Sequence, residues 1–207
     1  MVDSEPLAKW AWSQVLARYG RRLDEGTFRE VLGLRVIDSA ALFCERFQLP
    51  LTPQQAMAER DRLFLAAVPS RLRACPGLLP LLEALAERGL PLGVATSGHR
   101  RYVELALRTL GIADRFQAVA TGDEVARGKP APDVYLLAAE RLGVPPACCL
   151  VLEDAPLGVA AARAAGMVCV AVPSPEAASA DFSLAHRVLP SLEAVRRALD
   201  ELLDVNS

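Results

Sequence analysis

From Cys75-Pro76-Gly77 onward the sequence alternates short apolar runs with amphipathic stretches, and nothing else in the chain constrains its fold as strongly. The runs are Leu92–Thr96, Ala118–Thr121, Cys149–Glu153 and Val168–Val172. Helical patterns lie near residues 78–88, 99–110, 133–142 and 157–165. Gly89, Gly111, Gly143 and Gly166 each follow one of these helices, where a left-handed closing residue favours glycine. Strands that are apolar throughout are buried on both faces, and single connecting helices make them parallel. A doubly wound parallel sheet is expected, and such sheets bind ligands beyond the carboxyl ends of their strands.

Residues before Cys75 carry a different period. Apolar residues recur at three and four through Leu7–Tyr19, Phe28–Leu34, Ala40–Leu49 and Ala56–Val68. Breaks fall at Gly20, at Gly33 and at Leu49-Pro50-Leu51-Thr52-Pro53, where Thr52 is a natural N-cap and Pro53 a natural first residue. This half is expected to be a four-helix insert. Trp10 and Trp12 stand two apart and cannot share a helix face; core packing is expected of Trp10.

Composition excludes several classes. The net charge is −2 without a block of like charge, and the arginines are interleaved with acids, so nucleic acid is not an expected partner. No stretch is long and apolar enough to span a bilayer, and the amino terminus lacks a signal-peptide layout. The five cysteines contain no CxxC, and Cys148-Cys149 reads as part of an apolar run. The cytoplasm is the expected compartment.

Three strand ends carry chemistry. The first ends in Thr96-Ser97-Gly98 before a helix starting near His99: a hydroxyl beside free N–H groups suits a phosphate oxygen, although an ordinary helix cap uses the same residues. After the second strand, Lys129 stands between Gly128 and Pro130, where stiff backbone can aim an ammonium at a phosphoryl group. The third ends in Glu153-Asp154, a pair costly to bury unless a donor, water or a hard cation such as Mg²⁺ meets it. Hydroxyl, lysine and acidic pair thus stand in chain order on three successive strand ends.

With those residues in place the sequence resembles the haloacid dehalogenase superfamily, in the branch with a helical cap inserted near the amino terminus. Thr96 matches the second motif of that family, Lys129 in GKPAPD the third, and Glu153-Asp154 in LEDAPLGVAAARAAGM the fourth. The resemblance runs from residue 2 to about 195 and implies a Rossmann-like core over 75–207, a cap over 5–74, and a linker remnant at residues 1–4. The family's first motif, an Asp-x-Asp segment ending the first strand, has no counterpart, because Met1-Val2-Asp3-Ser4 matches the segment just beyond it. In that family the strand lies in mid-sheet. Its loss would leave buried backbone groups unpaired at about 1–3 kcal/mol each, against the roughly 5–15 kcal/mol net stability of a typical domain. An incomplete chain is therefore the expectation, with a naturally inactive phosphate-binding pseudoenzyme as the alternative.

For a complete enzyme the resemblance implies Mg²⁺-dependent hydrolysis of phosphate monoesters through an aspartyl-phosphate, the attacking Asp lying upstream. Asp154 is the implied metal ligand, with Glu153 as a second ligand or an orienting group. Thr96 and Lys129 are the implied catalytic residues, and Ser97, Gly98, Arg35 and His99 candidate substrate contacts. Two positions that carry His and Arg in the branch's mutases fall on Ala8 and Val36, which weakens a β-phosphoglucomutase-like reading. Gly33-Leu34-Arg35 and Val172–Ala177 are similar to hexitol and 2-deoxyglucose-6-phosphate phosphatases, and Glu153-Asp154-Ala155-Pro156 and Leu49-Pro50-Leu51 to pseudouridine-5′-phosphate phosphatases. The expected partner is a small phosphorylated metabolite, and the expected assembly a monomer or weak homodimer.

Overall fold

A computed structural model of the chain describes residues 1–204; the last three residues of the expected core lie outside the described residues. Four helices come first: α1 (Glu5–Arg18), α2 (Glu25–Arg29), α3 (Val36–Phe47) and α4 (Pro53–Arg71). The start of α4 has the expected chemistry. Gln55 N–H donates to Thr52 Oγ1 (3.2 Å), Thr52 N–H donates to Gln55 Oε1 (2.8 Å), and Pro53 takes the first position. The second helix differs from the expected span. It begins earlier, because Asp24 accepts from Thr27 N–H (2.9 Å) and so caps it, and it stops before the turn that leads to Gly33.

The helical half has its own core. Trp12 meets Phe43 edge-on at 5.0 Å, surrounded by Val15, Leu16, Phe28 and Ala40. Trp10 lies on another face of α1, under the Arg71 guanidinium at 4.5 Å, beside a second apolar cluster. That cluster joins Leu7, Ala11, Phe64 and Val68 to Ala106 and Tyr102 of the other half. Two adjacent chain segments link the halves: Val2 bridges Ala74 antiparallel, Asp3 N–H donates to Arg73 O (3.0 Å), and Cys75 N–H to Met1 O (2.9 Å).

The second half runs α5 (Leu78–Glu87), β1 (Gly93–Thr96), α6 (Arg100–Thr109), β2 (Ala118–Thr121), α7 (Asp133–Leu142), β3 (Leu150–Glu153), α8 (Pro156–Ala164), β4 (Val168–Ala171), β5 (Arg187–Val188), α9 (Leu192–Arg197) and α10 (Leu199–Asp204). The four glycines expected to close helices have φ between 65° and 75°. Among the described residues all ladders between these strands are parallel. Thr96 lies opposite Thr121, and Glu153 opposite Ala171, so each ladder brings its strand ends together.

The sheet is not continuous among the described residues. β1 pairs with β2, and β3 with β4 and then β5, while β1 and β3 share no ladder. Val94 of β1 and Leu150 and Leu152 of β3 nevertheless belong to one apolar cluster with Val170. Burial on both faces was expected for all four strands. The structure grants it to β2 and β4, whereas β1 and β3 are only partly buried. Among the described residues no helix is long and apolar enough to cross a membrane.

Candidate active site

The strand ends of the second half form the floor of the candidate site, and its centre is Lys129. Its side chain is 7% exposed, so it is not a surface lysine in a proline-rich turn. The ammonium donates to the Tyr135 hydroxyl (3.0 Å) and forms an ion pair with Glu153, and it lies 4.7 Å from the Tyr135 ring centre. Tyr135 in turn donates its proton to Glu153. Its hydroxyl is held well above the usual phenol range, by burial first and the Glu153 charge second, so it stays a proton donor.

Glu153 is therefore fully engaged. Beyond Lys129 and Tyr135, its carboxylate accepts from the N–H groups of Asp154 (3.1 Å) and Ala155 (3.4 Å). Burial pushes its pKa up, but the Lys129 charge and these hydrogen bonds outweigh burial, and the group is held below the ordinary carboxylate range. Gly158 makes the arrangement possible: a Cβ there would run into the Glu153 carboxylate, which its partners hold in place.

Asp154 sits differently. It is accessible to solvent yet ringed by protein atoms at the mouth of the site, and among the described residues no side chain hydrogen-bonds to it. Its pKa is raised, first by loss of solvent around it and then by the charge of Glu153, with the amino-terminal ammonium and Lys129 pulling the other way. The two adjacent carboxyls thus have different surroundings. Glu153 is neutralised by the protein, and Asp154 is left with uncompensated charge. One free carboxylate suits a hard divalent cation that keeps waters and takes further oxygens from a bound phosphate. Among the described residues no group of three or more His, Cys, Asp or Glu side chains is arranged to hold a metal.

The turn after β1 is built less openly than expected. Thr96 Oγ1 accepts from Gly98 N–H (3.1 Å), which closes the turn on itself. Neither Thr96 nor Ser97 caps α6; His99 does, its Nδ1 accepting a long bond from Tyr102 N–H (3.4 Å). The other ring nitrogen of His99 stands 2.8 Å from Asp61 Oδ2 on α4, close enough for an ion pair but without hydrogen-bond alignment. Asp61 also accepts from Arg60 Nη1 (2.9 Å), so the α4–α6 seam carries a charged cluster beside the turn.

Two other expected substrate contacts are engaged elsewhere. Ser97 Oγ donates to Gly33 O (2.7 Å). The Arg35 guanidinium takes Asp38 in a two-pronged pair (2.7 and 3.0 Å) and donates to Ala126 O (3.1 Å) and, more weakly, Val125 O (3.4 Å). Thr96, Lys129, Glu153 and Asp154 thus gather at the strand ends, whereas Ser97, Arg35 and His99 reach across the seam between the halves.

Sequence reasoning missed Tyr135, Arg60 and Asp61. Tyr135 has the spacing of a helix-core aromatic, and nothing local says that its hydroxyl ends at a lysine. Arg60 and Asp61 read as one more charged pair on a solvated helix, but Arg60 is 5% exposed and lies over the Phe64 ring at 3.7 Å.

Comparison with known proteins identifies the architecture. The family model for haloacid dehalogenase-like hydrolases matches residues 1–166. The chain is 33% identical over 196 residues to validoxylamine A 7'-phosphate phosphatase of Streptomyces hygroscopicus subsp. limoneus, covering 95% of this chain and 91% of that one. It is 36% identical over 174 residues to fructose-1-phosphate phosphatase YqaB of Escherichia coli, covering 83% and 90%. Its structure is similar to that of CbbY from Rhodobacter sphaeroides in complex with phosphate, with a TM-score of 0.86 and 30% identity over 94% of this chain and 91% of that one. The fold, the order of the strand-end residues and these matches agree: the chain belongs to the haloacid dehalogenase-like hydrolase family.

Proposed function

We propose that the chain is the phosphate- and metal-handling body of a phosphatase for small sugar phosphates. The observation that carries this reading is the buried Lys129, held by Glu153 and Tyr135 beside the free carboxyl of Asp154. The ion pair with Glu153 and the bond to Tyr135 fix the position of the Lys129 ammonium. Its role is to meet the negative charge spread over the oxygens of a transferring phosphoryl group. Thr96 and the turn that follows it receive another of those oxygens.

Asp154 would hold Mg²⁺, with waters and phosphate oxygens completing the shell. When bound, the cation neutralises phosphate charge and orients the group. The helical half, joined to the core by the paired segments around Val2 and Ala74, covers the site and excludes water. In this reading the attack and the aspartyl-phosphate that follows from it are not assigned to any of residues 1–207. The relatives named as fructose-1-phosphate phosphatase and validoxylamine A 7'-phosphate phosphatase support a small phosphorylated substrate.

Phosphate capture without turnover is the second reading, and one observation favours it: both oxygens of Glu153 are already taken by the protein. One assay separates the two. Release of inorganic phosphate from a panel of sugar monophosphates is measured with Mg²⁺, on the 207-residue chain and on a form carrying any in-frame upstream codons. The phosphatase reading expects release by the form that supplies the attacking carboxylate, and its loss in Lys129→Met and Asp154→Asn. Magnesium-dependent phosphate binding by both forms, with release by neither, overturns it in favour of capture.

A further inference from the structure

The segment Gly33-Leu34-Arg35 of the helical half touches the chain behind each of the three strand ends. Gly33 O accepts from Ser97 Oγ (2.7 Å), in the turn after β1. A Cβ on Gly33 would stand 3.4 Å from the side chains of both Ala155 and Leu157, just past the acidic pair. Arg35 runs along the loop between β2 and Lys129. Its guanidinium holds the carbonyls of Val125 and Ala126, and its stem passes so close that a Cβ on Gly122 would meet its Cγ at 3.2 Å. On Gly128, next to Lys129, a Cβ would lie 2.8 Å from Arg35 Nε. Leu32, just before this segment, packs against both the helical core and the sheet core.

Three further features make this a built joint. Asp38 holds Arg35 in a two-pronged pair one turn into α3, which presets the direction of the guanidinium before it reaches the loop. Gly122 N–H donates to Gly98 O (2.9 Å), tying the lysine loop to the turn after β1. Gly122 can carry no side chain, because a Cβ there would run into the Ser97 carbonyl.

We propose that Arg35 and Ser97 are positioning residues, which clasp the helical half onto the turn after β1 and the lysine loop and so hold the phosphate groups in register when the halves are closed. This rests on the reading that Thr96 and Lys129 handle phosphate. It differs from a role in contacting the organic part of the substrate, and the difference is measurable.

Binding of inorganic phosphate and of a sugar monophosphate, both with Mg²⁺, is compared by calorimetry for the unsubstituted chain, Ser97→Ala, Arg35→Ala and Arg35→Lys. Backbone hydrogen exchange at residues 97–98 and 122–128 is measured on the same samples. The clasp expects about tenfold weaker binding of both ligands alike, since each substitution removes hydrogen bonding between the halves that neither ligand replaces. It also expects faster exchange in both segments with unfolding midpoints held within a few degrees. Arg35→Lys is expected to behave as Arg35→Ala, because a single ammonium cannot take Asp38 and the loop carbonyls together. Weaker binding of the sugar phosphate alone, with exchange unchanged, overturns the proposal and returns Arg35 to substrate contact. If the unsubstituted chain binds neither ligand, the functional reading fails, and the clasp is judged on exchange alone: faster exchange in all three variants upholds it and unchanged exchange overturns it.

Discussion

Two charged clusters in this molecule use the same components with different completeness. In the core, Lys129 lies by the Tyr135 ring and pairs with Glu153, and each polar atom of the set has a partner. At the seam, Arg60 lies over the Phe64 ring and pairs with Asp61, which reaches His99 on the other half. There Arg60 Nε and the Tyr102 hydroxyl are buried without an aligned partner; Ser4 approaches that hydroxyl without completing a bond. A cluster inside one body can be fully satisfied, because its backbone is set by one core. A cluster shared by two packed halves depends on how they meet, and here it is left partly unsatisfied, which makes it contribute less to holding them together.

That contrast can be broken by substitution, and Lys129→Met has the largest expected effect. It strands a buried carboxylate, and loss of about 3–5 kcal/mol is expected from denaturant unfolding. Tyr135→Phe removes one donor to that carboxylate and is expected to cost about 1.5–3 kcal/mol in the same experiment. At the seam, Asp61→Asn is expected to cost less, about 1–2 kcal/mol, because the site keeps some solvent and Asn can still accept from Arg60. If the seam variant proves the costlier of the two clusters, the contrast fails.

The seam also has a pH signature. Burial pushes Asp61 up, yet its contacts with His99 and Arg60 outweigh burial and hold its pKa below the ordinary carboxylate value. A carboxyl lowered on folding adds stability that is present above about pH 4, its unfolded value. That contribution is lost as pH falls through the lower folded value. Acid titration of the unfolding midpoint is expected to be shallower in Asp61→Asn below about pH 4, and equal slopes would remove Asp61 from the acid response. The smallest effect concerns a cysteine. Burial first, and the Glu153 charge next, push Cys169 up to about 12, so alkylation near neutral pH is expected to modify exposed Cys148 and leave Cys169 intact until the chain unfolds.

Much of the fold was legible in the sequence because it depends on local periods. The four apolar runs became β1 to β4 within a residue at each end, and the Thr52-Pro53 signal marked the start of α4. Local chemistry also misled where two signals overlapped. Apolar spacing placed the second helix over Phe28–Leu34, but the Asp24 cap starts it earlier, a case of side-chain hydrogen bonding overriding pattern. The two-residue β5 carries too little sequence to form any pattern.

By itself the sequence determined which residues stand at strand ends. Strand length, apolar runs and glycine closures are properties of a few neighbours, and they mark Thr96 and Glu153 as the last residues of β1 and β3. Only the tertiary structure decided how those residues divide their work. Glu153 and Asp154 are adjacent in sequence and chemically alike, yet one is consumed by Lys129 and Tyr135 and the other is left free. Arg35, Ser97 and His99, expected from the sequence as substrate contacts, have contacts across the two halves of the chain that the sequence does not show. The physical reason is the same in each case. A side chain's charge and hydrogen bonds are settled by what packs against it from tens of residues away, and local sequence carries no record of that neighbour.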